Sequence, residues 1–154
     1  MNIQDIRELI VRPTLDALQM GGVAAENLVL GTGLVESGFR HLRQIHGPAL
    51  GFYQCEPATY RDILRYLDRR PYMMARLRLL IAGDGLPEVS QLVWNLKFAT
   101  AICRLHYWRK PAAIPNDLAG QARYWKRHYN TPLGRGTVEK YLKCAHPLTE
   151  GTDR

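Results

Sequence analysis

Apolar residues recur along this chain at three- and four-residue spacing, and the rhythm is interrupted by Gly and Pro rather than settling into alternation. That period is helical. Ile3, Ile6, Leu9 and Ile10 form the first such run, with Asn2 placed to cap it. Pro13 either kinks this helix or opens a second one through Leu15 and Leu18. Gly21-Gly22 then ends the unit.

Residues 23–37, VAAENLVLGTGLVES, are apolar on nearly every side, which predicts a buried helix. Gly31 and Gly33 each weaken its intrinsic propensity by about 1 kcal/mol relative to Ala. Glycines in such a place predict close packing of another backbone. Gly38 is a plausible stop. Residues 38–56 hold Gly38, Gly47, Pro48 and Gly51 and read as loop, with Gly51-Phe52-Tyr53-Gln54 the best candidate for a short strand or turn. Pro57 opens a helix to about Arg70, and another runs from Tyr72 to Ile81, stopping at Gly83-Asp84-Gly85. Over 87–108 the pattern is clearest: Val89, Leu92, Val93, Leu96, Ala99, Ile102 and Cys103 predict one amphipathic helix. Asn116 is placed to cap a helix through Leu118, Ala122 and Trp125. Thr137 is placed to cap a last one, ending near Ala145-His146-Pro147. The expected fold is mainly α, of the α+β kind with a short β or loop segment after the 23–37 helix. It forms a single compact domain over 1–148 and a frayed tail over 149–154.

The length of 154 residues suits one domain with its own core. Apolar residues make up 46% and charged residues 23%, which argues against disorder. No apolar run approaches the roughly 20 residues a membrane span needs. The start, MNIQDIRELIVRPTL, lacks the marks of a secretory signal, so action outside the cytoplasm implies another carrier. Cys55, Cys103 and Cys144 form no CxxC pair and are expected to be reduced, partly buried thiols. Net charge is +7 and unevenly placed. Residues 1–60 carry four bases against six acids; the remainder carries seventeen against eight. A basic surface suits nucleic acid, anionic membrane or an anionic cell-wall polymer, and charge alone does not choose.

Glu36 is the most unusual residue. It closes the apolar helix and is followed by Phe39. Desolvation raises a carboxyl pKa, and the negative end of a helix dipole also disfavours the anion. Both hold a proton on the group near neutral pH, the state a general acid for glycoside cleavage needs. The bland alternative is a carboxylate at a helix end pointing to water.

Glu36-Ser37 lies a short loop ahead of Gly51-Phe52-Tyr53-Gln54, with Pro57 and Thr59 behind. This arrangement resembles the lytic transglycosylase and goose-type lysozyme group. Members carry Glu-Ser at the end of a buried helix, then Gly-Leu-Met-Gln followed by Pro and Thr. Here Phe52-Tyr53 stands where Leu-Met is usual. The match covers about residues 24–60, and a third family element, Ala-Tyr-Asn, is echoed loosely by His128-Tyr129-Asn130 or by Trp94-Asn95. With its late Tyr-Trp and Tyr-Asn-Thr segments, the chain looks most like phage-borne relatives. The resemblance implies a lysozyme-like fold and a peptidoglycan-degrading activity in a virion, at the tail or injection apparatus, among other phage structural proteins. Action in the bacterial periplasm follows from it. It also implies that Glu36 protonates the glycosidic oxygen between N-acetylmuramic acid and N-acetylglucosamine. The muramoyl N-acetyl group then stabilises the cationic carbon, and the Glu36 anion takes the C6 hydroxyl proton as a 1,6-anhydro ring closes. A hydrolytic, lysozyme-type outcome stays open. So does a catalytically silent structural protein that keeps the fold.

Supporting roles are expected for Ser37, orienting Glu36 or touching substrate, for Tyr53 and Gln54 on the cleft wall, and for Tyr129 and Asn130 opposite. Glu56, the acid nearest in sequence with Asp62, reads as a favourable partner of a helix dipole. His41 and His46 flank Glu36 without metal-ligand spacing, and Gly31-Thr32-Gly33 lacks a third glycine, so neither a metal nor a cofactor is expected. Tyr107-Trp108-Arg109-Lys110 and Tyr124-Trp125-Lys126-Arg127-His128-Tyr129 interleave bases with aromatics. Such stretches hold single-stranded nucleic acid, stack on sugars, dock partners, or simply pack as core. Nucleic acid is possible but not favoured, since it gives Glu36 no task.

Overall fold

Most of the described α-helices start at a capping side chain or a proline, and one, over Val23–Glu36, is buried on almost every side. The computed structural model describes residues 1–85 and 87–149. In order it contains α1 (Ile3–Ile6), a π-helical turn (Arg7–Val11), α2 (Arg12–Ala17), α3 (Val23–Glu36), α4 (Pro57–Leu67), α5 (Pro71–Arg78) and α6 (Gln91–Trp94). There follow α7 (Leu96–Trp108), α8 (Leu118–Trp125), a second π-helical turn (Lys126–Asn130), α9 (Val138–Ala145) and a 3-10 turn (His146–Leu148). The chain is mainly α. The expected β segment amounts to two isolated bridges, Arg43 with Leu50 and Leu50 with Cys55, and among the described residues no sheet forms. No described helix is long and apolar enough to cross a membrane. Of the tail expected over 149–154, residues 150–154 lie outside the described residues.

Asn2 caps α1 as expected, its Oδ1 accepting the Gln4 N–H at 2.8 Å. Pro13 neither breaks nor restarts the helix. The π turn just ahead of it, closed by a bond from the Arg12 N–H to the Arg7 carbonyl, accommodates the ring. The unit ends at Gln19, which takes φ 55°, two residues before Gly21-Gly22. Gly22 instead precedes α3.

Helix α3 is the centre of the molecule. Leu28, Val29, Leu30, Gly31, Thr32, Gly33 and Val35 are all buried along it. Arg7 and Arg12 of the N-terminal helix both bond to the buried Glu26, at 3.1 and 2.9 Å, and Arg7 also reaches the Asn27 amide. Burial works to raise the Glu26 pKa, but the two guanidinium groups hold it below the usual range. On other sides α3 meets α7, α8 and α9. Close approach there is by rings rather than by backbone. A Cβ on Gly31 would lie 2.1 Å from Tyr141 Oη, and one on Gly33 would lie 2.1 Å from Phe39 Cζ.

Helix α7 is a shared wall. Ala99, Cys103 and Tyr107 join the core around α3, whereas Phe98, Ala101, Ile102 and Leu105 join a second core with α4 and α5. The amphipathic run expected as one helix over 87–108 is divided at Asn95, which is extended (φ −99°, ψ 93°). Its Oδ1 accepts the Phe98 N–H to cap α7, and its Nδ2 donates to the Leu80 carbonyl. Hydrophobic spacing continues across this break, so periodicity alone does not reveal it. Asp117, one residue beyond Asn116, caps α8, and Thr137 caps α9. The cysteines are unpaired, with Cys55 and Cys103 buried.

Gly33→Ala separates two opposed effects. Helix propensity favours the substitution by about 1 kcal/mol. Overpacking against the Phe39 ring opposes it by about 1–3 kcal/mol. A net loss of stability is expected in urea unfolding followed by circular dichroism. An unchanged or higher midpoint would mean that Phe39 is free to yield.

Candidate active site

The C-terminus of α3 places Glu36. Its last turn is closed by bonds from the Ser37 N–H to Gly33 and from the Gly38 N–H to Leu34, with Gly38 at φ 61°. The side chain of Glu36 turns into a groove of about 650 Å3. Gln54, Cys55 and Glu56, His106 of α7, Tyr129 and Asn130 of the second π turn, and Lys140 of α9 also line it. Residues of loops 41–45 and 131–136 line it as well.

Inside the groove, Trp125 Nε1–H donates to Glu36 Oε1 at 3.0 Å. Burial pushes the Glu36 carboxyl up to about 7, against the indole bond and the charge of Lys140, which both pull it down. Trp125 is fully buried and tilted against Tyr141, 5.5 Å between ring centres, so its N–H is fixed by core packing. The group is therefore a carboxyl that holds its proton near neutrality while facing an open cavity.

Ser37 and Tyr53 do not turn to the groove. Ser37 Oγ donates to the Phe52 carbonyl at 2.7 Å and accepts the Phe39 N–H at 3.1 Å. It ties the end of α3 to the turn that carries Gln54. Tyr53 is buried, with its hydroxyl 2.9 Å from Thr100 Oγ1. Both side chains are engaged internally, so the direct substrate contacts expected of them are corrected to supporting ones. Gln54 is the residue of its turn that lines the cavity. It takes φ 49°, and its Nε2 donates to the Gly51 carbonyl at 2.8 Å. Gly51 itself (φ 75°) packs where a Cβ would lie 2.1 Å from the Leu92 carbonyl oxygen, so only glycine fits there.

Tyr129 and Asn130 line the same cavity as Glu36. The Tyr129 hydroxyl donates to the Tyr53 carbonyl at 2.6 Å, and its ring stacks on His106 at 4.5 Å. Lys126 Nζ clamps the π turn by donating to Asn130 Oδ1 and to the Gly134 carbonyl, both at 2.8 Å. Next to it Thr131 is held at φ 73°, ψ 155°, a conformation that a β-branched residue rarely adopts. Burial drives His106 down to about 3, so it is neutral, and among the described residues its Nδ1 has no hydrogen-bond partner.

Sequence reasoning missed the Trp125–Glu36 bond, which joins residues 89 positions apart with no periodic signal. It also missed His106, Arg43, Arg135 and Lys140. In the two aromatic-basic stretches Tyr107, Tyr124 and Trp125 are buried, which removes them as platforms for stacked bases. Among the described residues no group of three or more His, Cys, Asp or Glu is placed to hold a metal ion.

The geometry assigns Trp125 a measurable effect. Trp125→Phe keeps a ring in the core and removes the donor, so the Glu36 pKa rises further. Carboxyl 13C NMR titration reads this directly, and an unmoved or lowered pKa would show that the indole does not act on the carboxyl. Compared with known protein families, curated proteins and solved structures, the chain matches none.

Proposed function

We propose that this protein cleaves the glycan strands of peptidoglycan at the bond between N-acetylmuramic acid and N-acetylglucosamine, with Glu36 as the proton donor. The observation that carries the reading is a carboxyl that burial pushes up to about 7, bonded by a buried indole, on the wall of a groove of about 650 Å3. That volume lies within the roughly 300–1,000 Å3 usual for ligand sites. Gln54 and Asn130 add amides that suit sugar hydroxyl and acetamido groups. The Glu-Ser and Gly-Phe-Tyr-Gln resemblance supplies the substrate class. It also suggests a place in a phage particle, at the tail or injection apparatus, among other virion proteins. In this reading Glu36 protonates the leaving oxygen as the glycosidic bond breaks, and no cofactor is needed.

Glu36→Gln tests the proton donor while keeping the oxygen that accepts from Trp125. Release of muropeptides from purified sacculi is expected to fall by about 100- to 10,000-fold. Equal release by the variant, or none by the wild type, would overturn the reading and leave a structural virion protein as its successor.

Two pH dependences follow from the raised pKa. Cleavage needs the protonated form, so kcat/KM is flat below pH 7 and falls about tenfold per unit above it. For stability, the folded-state value of about 7 exceeds the ordinary 4.5. The stability of the wild type relative to Glu36→Gln is therefore fully present below about pH 4.5 and is lost as pH rises through 7. The loss reaches at most roughly 3 kcal/mol. Thermal melts of both proteins from pH 4 to 9 check the sign. Parallel curves would mean that Glu36 is already ionised in the folded state.

A further inference from the structure

Three large apolar side chains stay in water on α5 and α6, outside the groove. Helix α5 buries Met73 and Leu77 in the second core. Its opposite stripe carries Tyr72, Ala75 and Leu79 at i, i+3 and i+7, all exposed. Tyr72 is 85% exposed and Leu79 76%. Trp94, the last residue of α6, is 58% exposed. Helix α6 is tied to the end of α5. Gln91 exchanges two bonds of 3.0 Å with the Ala82 backbone, and Asn95 Nδ2 donates to the Leu80 carbonyl at 2.9 Å. Burial thus gives these three side chains no task, and none of them lines the groove.

The same stretch is basic. Residues 61–82 carry six arginines against Asp62 and Asp68. Arg65 pairs with Asp62, Arg70 lies over the Tyr66 ring, and Arg76 donates to the Leu18 carbonyl. Arg69 precedes the apolar stripe and Arg78 sits in its last turn. Both are exposed, and among the described residues neither forms an ion pair. A second copy of the chain would set these arginines against their own kind. A nucleic acid offers phosphates to the arginines and bases to the rings, but nothing to an exposed leucine. An anionic bilayer suits all of them: phosphates for the arginines, the interfacial zone for Tyr and Trp, and the acyl boundary for Leu.

We propose that the α5–α6 face docks this protein on the surface of a bilayer rich in anionic phospholipid. Tyr72, Leu79 and Trp94 enter the boundary between headgroups and acyl chains, and Arg69 and Arg78 pair with lipid phosphates. The chain lies on the membrane and does not span it, in keeping with its described helices. The docking residues and the groove lining have no member in common, so the inference stands apart from the glycosidase reading.

The test uses the full chain and vesicles of phosphatidylethanolamine and phosphatidylglycerol, with phosphatidylcholine vesicles as the neutral control. Co-sedimentation is expected with the anionic vesicles and not with the neutral ones. Tryptophan emission is expected to shift to the blue on binding and to be quenched by brominated acyl chains. Trp94→Phe keeps an apolar ring and is expected to bind while losing both signals, since Trp125 is buried and Trp108 half-buried. Leu79→Ser is expected to lower the partition coefficient about tenfold. Arg69→Ala and Arg78→Ala are expected to lower it about fivefold each. Circular dichroism checks that each variant folds, and Tyr72→Ser replaces Leu79→Ser if that one does not. Absence of co-sedimentation at low salt would overturn the proposal, as would binding without quenching by brominated lipid or unchanged partition in Leu79→Ser. Retention on a single-stranded oligonucleotide without vesicle binding would assign the face to nucleic acid instead. A dimer in sedimentation equilibrium that Leu79→Ser abolishes, again without vesicle binding, would assign it to a second copy.

Discussion

The hydrogen bond from Trp125 to Glu36 sets opposing demands on one carboxyl. Burial and the end of α3 favour the neutral acid, whereas the indole N–H, which can only donate, favours the anion. Neither influence alone leaves the group near neutrality. Complete burial without a donor drives a carboxyl far up, and a well-solvated one stays near its ordinary value. The balance at about 7 requires that the donor be fixed and that the cavity admit some water. Both conditions trace to packing: Trp125 is wedged against Tyr141, and Tyr141 in turn lies on the bare Gly31 face of α3.

Backbone strain occurs both at the groove and away from it. Gln54 and Thr131, which line the groove, take positive φ, as do Gln19, Phe39 and His46. Such conformations cost about 1–3 kcal/mol each. The two helical cores offset that cost, and the loops they hold carry the polar side chains. Ser37 shows the coupling most directly. By bonding to the Phe52 carbonyl it makes the end of α3 and the turn bearing Gln54 a single unit.

Much of the fold was legible in the sequence because burial writes itself as periodicity. The apolar run of α3, the caps Asn2 and Thr137, and the mainly helical class all follow from local rules. What stayed hidden depended on contacts distant in sequence. Asn95 splits a continuous hydrophobic stripe because its side chain finds the Leu80 carbonyl, and periodicity does not register such a partner. At the site, Glu36 stood out because a carboxyl beside apolar residues is costly. Its donor did not, since nothing in the local pattern marks Trp125 as anything but core. Ser37 and Tyr53 were read as facing a substrate because a linear motif does not say which of its side chains turn inward. Glu56 was assigned to the dipole of α4 by position, and only the geometry separates its N-cap backbone from its uncommitted carboxylate.

The uneven charge along the chain takes on meaning in the folded groove. The first sixty residues supply Glu36, Glu56 and Arg43, and the basic remainder supplies Arg135 and Lys140 to the same cavity. Lys140 is exposed, so its pull on Glu36 acts through solvent and is screened by salt. The indole dipole and the desolvation act at contact and are not. The acid strength of Glu36 is therefore governed by short-range, packing-dependent contributions, with the surface cations as a weaker adjustment. In the proposed reading, that ordering lets a proton donor keep its pKa while charged strands enter and leave the groove.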